Sequence, residues 1–291
     1  MSVDLVHLAN VIVSGLLTGL VYGLMALGLS VIFGVARVVN FAHGEMMTIA
    51  MYAAVVLLAE LQLDPFITVL PIAAAFFVFG YLLQATVIQP FVTRPEHSQF
   101  LLLLALAIIM TNALLILFGP DARSVQLDYL LESIEFGPLL VDRGKLYAAL
   151  VACAATAALF AFFRFTLTGT AIRAAADNWL GAKTVGLDVK RLYAIAFGLG
   201  AACVAVAGCM MTLLVDLTPA LGHGYTLLAF VIVIVGGLGS MNGALLGGML
   251  IGASEALAGL FITPSAKGMF SFALLIIVLL FRPQGLLGNK S

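Results

Sequence analysis

The sequence predicts an all-α polytopic membrane protein with about nine transmembrane helices. Three observations carry this expectation. Of the 291 residues, 63% are hydrophobic and only 9% are charged, whereas about a quarter of a soluble domain is charged. Continuous apolar runs of roughly 20 residues, the length that spans a bilayer, recur along the chain without the alternation of barrel strands. The third is a polar stretch, 164–191, that interrupts two such runs. It holds Arg164, Arg173, Lys183, Lys190 and Arg191 out of 13 Lys and Arg in all. Basic loops near membrane ends stay on the cytoplasmic side. The stretch is therefore expected to be a cytoplasmic helical platform that touches a soluble partner.

The first run, 9–33, is expected to be retained as a span, because MSVDLVHLAN carries neither Lys nor Arg, unlike a signal peptide. Its Gly15, Gly19 and Gly23 fall on one helical face and invite close helix packing. Next, Arg37, Asn40, His43 and Glu45 crowd between two apolar runs. Two readings are open here. One is a gate or pathway-lining break, since polar backbone at membrane depth needs protein or a cavity to satisfy it. The other is an ordinary cytoplasmic turn. The second span, 41–59, is expected to start with a broken turn at Gly44. A third span, 66–89, contains Pro71 and Gly80. A short polar loop, 93–97, ends at His97, read as solvated. In the fourth span, 100–118, Thr111 and Asn112 are expected to hydrogen-bond between helices, with lining a pathway as the second reading.

The longest polar stretch, 119–145, holds Asp121, Asp128, Glu132, Glu135 and Asp142 against Arg123, Arg143 and Lys145. It is expected to be an extracytoplasmic loop. Spans at 146–163 and 192–214 flank the platform. Within the platform an Ala-rich helix, 170–179, is expected to be broken by Gly181, with a second short helix from Ala182 to before Gly186. His223, in the turn after the sixth span, reads as a turn residue. A seventh span, 226–235, runs into GGLGSMNGALLGG, where Gly236, Gly237, Gly239, Gly243 and Gly247 signal tight backbone approach, a re-entrant turn or a hinge. An eighth run ends near residue 261 and carries Glu255. A carboxylate inside an apolar helix is costly and marks a functional candidate; the other reading is a protonated or paired interior residue that fixes packing. A ninth span covers 269–281. With the platform inside, the N-terminus is expected outside, and the C-terminus, with Arg282 and Lys290, in the cytoplasm.

Several classes fall away. A net charge of −1 excludes a nucleic-acid binder on charge alone. Cys153, Cys203 and Cys209 have no CxxC spacing and read as packing residues. His7, His43, His97 and His223 lie on separate segments. Enzyme motifs such as HExxH or GxSxG are missing, and so is a phosphate-cradling loop ending in Lys-Ser/Thr. ATP would have to be bound by another chain.

Three segments carry a family resemblance: GLMALGLSVIFGVARVVNFAHGEMMTIAMYAA (23–54), GTAIRAAADNWLGAKTVGLDVKRLYAIAFGLGAACVAVAG (169–208) and VGGLGSMNGALLGGMLIGASEAL (235–257). The chain resembles the permease subunits of bacterial branched-chain amino-acid ABC importers, specifically the shorter, H-type subunit, and does so in order over nearly its full length. The resemblance implies a single type II-like permease domain over 1–291 in the inner membrane. It also implies partners: a second permease, two cytoplasmic ATPases holding the ATP, and an extracytoplasmic binding protein. No cofactor is implied on this chain itself. Carried onto these residues, Arg173, Ala174, Ala175, Asp177, Trp179, Gly181, Lys183 and Gly186 become ATPase-coupling positions within 164–191. Asn40, Phe41, Ala42, His43, Gly44 and Glu45 match the family's signature stretch. Of these, Asn40, Phe41, His43, Gly44 and Glu45, together with Gly236, Gly237, Gly239 and Glu255, are candidates for a pathway or gate. Ala174 to Ala176 lacks the preceding Glu and the following Ile-x-Leu-Pro of type I permeases. Relatives carrying urea, short amides or aromatic carboxylates are the alternative substrate reading. A stand-alone secondary transporter or channel is the alternative class.

Overall fold

The structure is a computed structural model that describes residues 5–92, 94–137, 139–261 and 267–288. Thr93 of the short polar loop and Lys290 of the C-terminus lie outside the described residues. Eleven α-helices and one two-stranded hairpin make up the described chain: α1 (Leu5–Ala36), α2 (His43–Leu61), α3 (Pro65–Leu83), α4 (Glu96–Phe118), β1 (Ser133–Phe136), β2 (Leu139–Asp142), α5 (Arg143–Phe165), α6 (Leu167–Asp177), α7 (Trp179–Thr184), α8 (Val189–Met211), α9 (Leu221–Gly236), α10 (Met241–Phe261) and α11 (Lys267–Phe281). Seven of the described helices are long and apolar enough to cross a membrane. Of the nine expected spans, seven meet that length among the described residues, while α9 has 16 residues and α11 has 15, short of the roughly 20 that crosses hydrocarbon unaided.

α1 is the axis of the bundle, and small residues let its neighbours close on it. A Cβ on Gly19 would stand 2.7 Å from the Gly248 carbonyl oxygen of α10, and one on Gly28 would stand 2.6 Å from the Gly200 carbonyl oxygen of α8. At such separations backbone packs on backbone, the geometry that holds membrane helices together where burial from water cannot. α10 presents two glycine faces. Gly248 and Gly252 meet α1, while Gly243 and Gly247 meet Gly236 and Ile232 of α9. The outer helices α3, α4 and α5 turn apolar side chains outward, with Leu70 79% and Ile116 84% exposed.

The two ends of the bundle differ. At one end the 119–145 stretch folds into a short 3-10 turn, Asp128–Leu131, and the antiparallel β1–β2 hairpin. This end is laced together: Tyr129 donates to Asp64 Oδ2 at 2.8 Å, Leu140 N–H donates to Asn10 Oδ1 at 3.0 Å, and Arg123 pairs with Leu217 through the backbone. Arg143 and Glu132 form an ion pair. At the other end sit α6 and α7, the C-terminus of α1, the α9–α10 turn and the 282–288 tail.

Some expectations within helices are corrected. Asn112 is exposed and donates to the Ile108 carbonyl of its own helix at 2.8 Å rather than across helices, because it faces away from the bundle. His97 is exposed, but it lies in the first turn of α4 rather than in a loop. The third run ends in a π-turn, Gln84–Ile88, and a 3-10 turn, Gln89–Phe91. Pro90 lacks the N–H that a continuing α-helix would use.

Candidate functional site

The signature stretch is a break inside the bundle. α1 runs to Ala36, Arg37 takes a left-handed φ of 55°, and the chain returns before α2 begins at His43. His43 Nε2 lies 2.9 Å from the Met25 carbonyl oxygen. Met25 precedes the end of α1 by eleven residues, about 16 Å of helix. Six residues at roughly 3.3 Å each span that distance when extended. So α2 starts opposite the middle of α1, and the reading as an ordinary cytoplasmic turn is overturned. Asn40 and His43 are fully buried and Glu45 is 3% exposed. The expected broken turn at Gly44 is instead the regular first turn of α2.

Local chemistry explains the break. Asn40 Oδ1 accepts the Ala42 N–H at 3.1 Å, an Asx turn that redirects the chain. A carbonyl only accepts, so His43 Nε2 carries the hydrogen in its bond to Met25. Phe41 wedges between helices, its ring centroid 4.7 Å from that of Phe100 on α4 and 5.1 Å from that of Phe230 on α9.

α9 also begins within the bundle, against the start of α2. A Cβ on Gly44 would overlap the Gly222 carbonyl oxygen, and one on Gly222 would stand 2.8 Å from Glu45 Cα. Thr226 Oγ1 accepts the Gly44 N–H at 2.8 Å and donates to Glu45 Oε2 at 3.0 Å. Glu45 thus lies in the first turn of α2 and beside the first turn of α9. Both helix N-termini carry partial positive charge, which favours an acid there. Sequence reasoning found Asn40, Phe41, His43, Gly44 and Glu45 but missed Gly222 and Thr226. A threonine opening an apolar run carries no signal of its own, and its partner is 182 residues distant.

The other gate candidates lie elsewhere. Gly236 closes α9, and Gly237 (φ 111°) and Gly239 (φ 77°) form the turn to α10. Those left-handed angles need glycine. The tail tidies this turn: Leu286 N–H and Leu287 N–H donate to the Val235 and Gly236 carbonyls at 2.8 and 2.9 Å. The glycine stretch is therefore a sharp break only at 237–240, and from Met241 onward its glycines serve helix packing rather than a long re-entrant turn. Glu255 sits on α10, accepts from Ser271 Oγ of α11 at 2.7 Å, and lines a separate cavity towards the hairpin end.

The coupling candidates sit together on the platform. Thr166 caps α6 and Asn178 caps α7, with Asn178 Oδ1 accepting the Gly181 N–H at 2.8 Å. The break between the two helices falls at Asn178, not at Gly181 as the sequence suggested, because the Asn side chain satisfies the new helix start. Gly181 is inside α7. Ala175 is buried; Arg173, Ala174, Asp177, Trp179, Lys183 and Gly186 are exposed. Gly186 (φ 88°) ends the platform. Arg173 and Asp177 border a cavity of about 640 Å³ whose other walls include Gly34, Arg37, Gly239 and Pro283. The platform therefore adjoins the end of α1 and the glycine turn. Among the described residues, no cluster of three or more His, Cys, Asp or Glu gathers to hold a metal.

Comparison with known proteins supplies the family. Residues 11–279 match the family described as branched-chain amino acid transport system / permease component. The chain is 29% identical to the high-affinity branched-chain amino acid transport system permease protein LivH of Escherichia coli strain K12, covering 99% of this chain and 98% of that protein. It is 29% identical to BraD of Pseudomonas aeruginosa, a permease protein of the same description, covering 98% and 97%. It is also 28% identical to a probable LivH permease protein of Methanocaldococcus jannaschii, covering 91% and 88%. No solved structure matches the chain. The match runs through the break inside the bundle, the platform and the glycine turn alike, and this chain, a multi-pass membrane protein, belongs to the permease family of branched-chain amino acid transport systems.

Proposed function

We propose that the chain is a membrane-spanning subunit of an ATP-binding cassette importer in the bacterial inner membrane. It passes branched-chain amino acids handed over by an extracytoplasmic solute-binding protein. It works with a second permease and two cytoplasmic ATPases, which bind and hydrolyse the ATP. In this reading the platform end is cytoplasmic, the hairpin end is extracytoplasmic, and α9 and α11 complete nine crossings within the assembled complex. The C-terminus then lies in the cytoplasm and the N-terminus outside.

The observation that carries the reading is the surface of α6 and α7. Trp179 and Leu180 are each 57% exposed and Val185 is 76% exposed, next to Arg173 and Lys183. Apolar side chains exposed on a short, capped, basic element outside the apolar spans suit a protein partner. Movement of this element reaches the end of α1 and the glycine turn across the shared cavity. From Gly236, α9 leads as one rigid rod to Gly222 and Thr226, which hold Glu45. ATP-driven motion at the platform is thus delivered to the intramembrane break, in the manner of rigid elements that alternate access.

Reconstitution of the chain with its co-purifying subunits tests this. Arg173→Glu combined with Trp179→Ala is expected to lower ATP-driven leucine uptake at least tenfold and to weaken retention of the ATPase. Leu150→Ala, at an exposed apolar site on α5, is expected to change neither. Full uptake by the platform variant, or uptake by the purified chain with no ATPase present, would sink the proposal.

A further inference from the structure

A second polar site lies apart from the break. Between α1, α10 and the β2–α5 corner there is a cavity of about 510 Å³, within the roughly 300–1,000 Å³ range of small-molecule pockets. One wall carries a cation and another an anion. Lys145, in the first turn of α5, reaches across so that Nζ donates to Ser14 Oγ of α1 at 2.7 Å. An ammonium has three hydrogens, so two remain beyond that bond. Glu255, from α10, is anchored on a different helix through Ser271 of α11. Thr18 and Tyr22, one and two turns beyond Ser14 on the same face of α1, line the space as well, and Val11, Ala256 and Leu260 supply apolar wall. Charges at the edge of an apolar bundle are costly and are kept where they serve a solute or a relay. Here two opposite charges are held by separate partners around one void with an apolar side.

We propose that this cavity is a subsite for a zwitterionic amino acid. Glu255 takes the α-ammonium, Lys145 takes the α-carboxylate, and the aliphatic side chain lies on Val11, Ala256 and Leu260. The inference rests on the amino-acid transport reading above and adds to it a location and a chemistry of recognition. The same pair of charges also suits the headgroup of phosphatidylethanolamine, which combines an ammonium with an anion, so the test separates the two sources. A solute lacking either charge forgoes one of the two charge-assisted contacts and binds more weakly.

The test uses the complete transporter in proteoliposomes. Glu255→Gln and Lys145→Gln are each expected to raise the KM for leucine about tenfold or more, as loss of a charge-assisted hydrogen bond does. Glu255→Asp is expected to recover part of the loss. A wild-type KM in both charge variants would overturn the subsite. Because charge variants can fail to assemble, a second arm keeps the native charges. Maleimide labelling of a Thr18→Cys variant is expected to slow with leucine but not with 3-methylbutylamine or 4-methylpentanoate, which lack one charge each. Equal protection by all three, or by none, would overturn it. Retained phosphatidylethanolamine that is lost from both charge variants, with the leucine KM unchanged, would assign the cavity to lipid and overturn it too. If the native complex moves no branched-chain amino acid, the transport reading fails, and leucine protection at the Thr18→Cys position still decides the cavity.

Discussion

The His43 imidazole donates to the Met25 carbonyl across 2.9 Å. That bond ties the start of one helix to the middle of another. It sets the depth at which α2 begins and hence where Gly44 and Glu45 meet α9. Replacing His43 with Ala removes a buried hydrogen bond and leaves a void, for a cost of about 2–4 kcal/mol. The expected result is a clear drop in the melting temperature of the detergent-solubilised protein. An unchanged melting temperature would show that the bond does not hold α2 in place.

Gly44 and Gly222 pack backbone against backbone, and neither site has room for a methyl group. Gly44→Ala and Gly222→Ala are each expected to lower stability by at least about 1–3 kcal/mol and to abolish or severely slow uptake, with membrane insertion retained. Gly224→Ala, two residues on in α9 with nothing within 4 Å of its added Cβ, is expected to be neutral or slightly stabilising. Unfolding titrations of the three variants check the contrast. Equal effects at all three positions would contradict it.

Thr226 joins two helices through one hydroxyl, accepting from Gly44 N–H and donating to Glu45. Thr226→Val keeps the shape and strands both partners, which should cost about 1–3 kcal/mol. Thr226→Ser keeps the hydroxyl and should lose much less. Stability and uptake measured side by side would read this, and a Ser variant as damaged as the Val variant would point to the methyl group instead.

At the hairpin end, burial first and then the bond to Asp64 hold the Tyr129 hydroxyl well above its ordinary pKa. A folded pKa raised above the unfolded value contributes stability that is complete below about pH 10, the unfolded tyrosine value, and is lost as pH rises through the higher folded value. Proteolytic protection of the 119–145 stretch is therefore expected to weaken from about pH 10 upward. Tyr129→Phe should show weaker protection at neutral pH and a flatter alkaline decline. The same alkaline decline in the Phe variant would assign it to another group.

Much was legible in the chain before its fold was known. Apolar run lengths located the helices, since hydrocarbon leaves the backbone no partner but itself. The charge excess of 164–191 located the platform. The four-residue spacing of Gly15, Gly19 and Gly23 announced a close helix contact, although not that α10 would supply it. Element ends were read less well. Asn178 rather than Gly181 splits the platform, because a capping side chain competes with a helix breaker and the sequence does not say which prevails. Asn112 looked like a cross-helix donor, but its rotation about α4 turns it outward. The gate candidates do not gather at one place: Glu45 lies against α9, Gly237 in the α9–α10 turn and Glu255 beside α11.

Sequence by itself determined the solvent this chain lives in, the helices that follow from it and the family it resembles, because composition and period are local properties. Tertiary structure alone decided that NFAHGE lies at mid-bundle rather than in a surface turn, that Gly222 and Thr226 complete it, Thr226 from 182 residues away, and that Lys145 and Glu255 share a cavity. These depend on the depth and rotation at which helices meet. Backbone contacts between glycines set both, and such contacts leave no periodic mark in either partner to say which helix it will find.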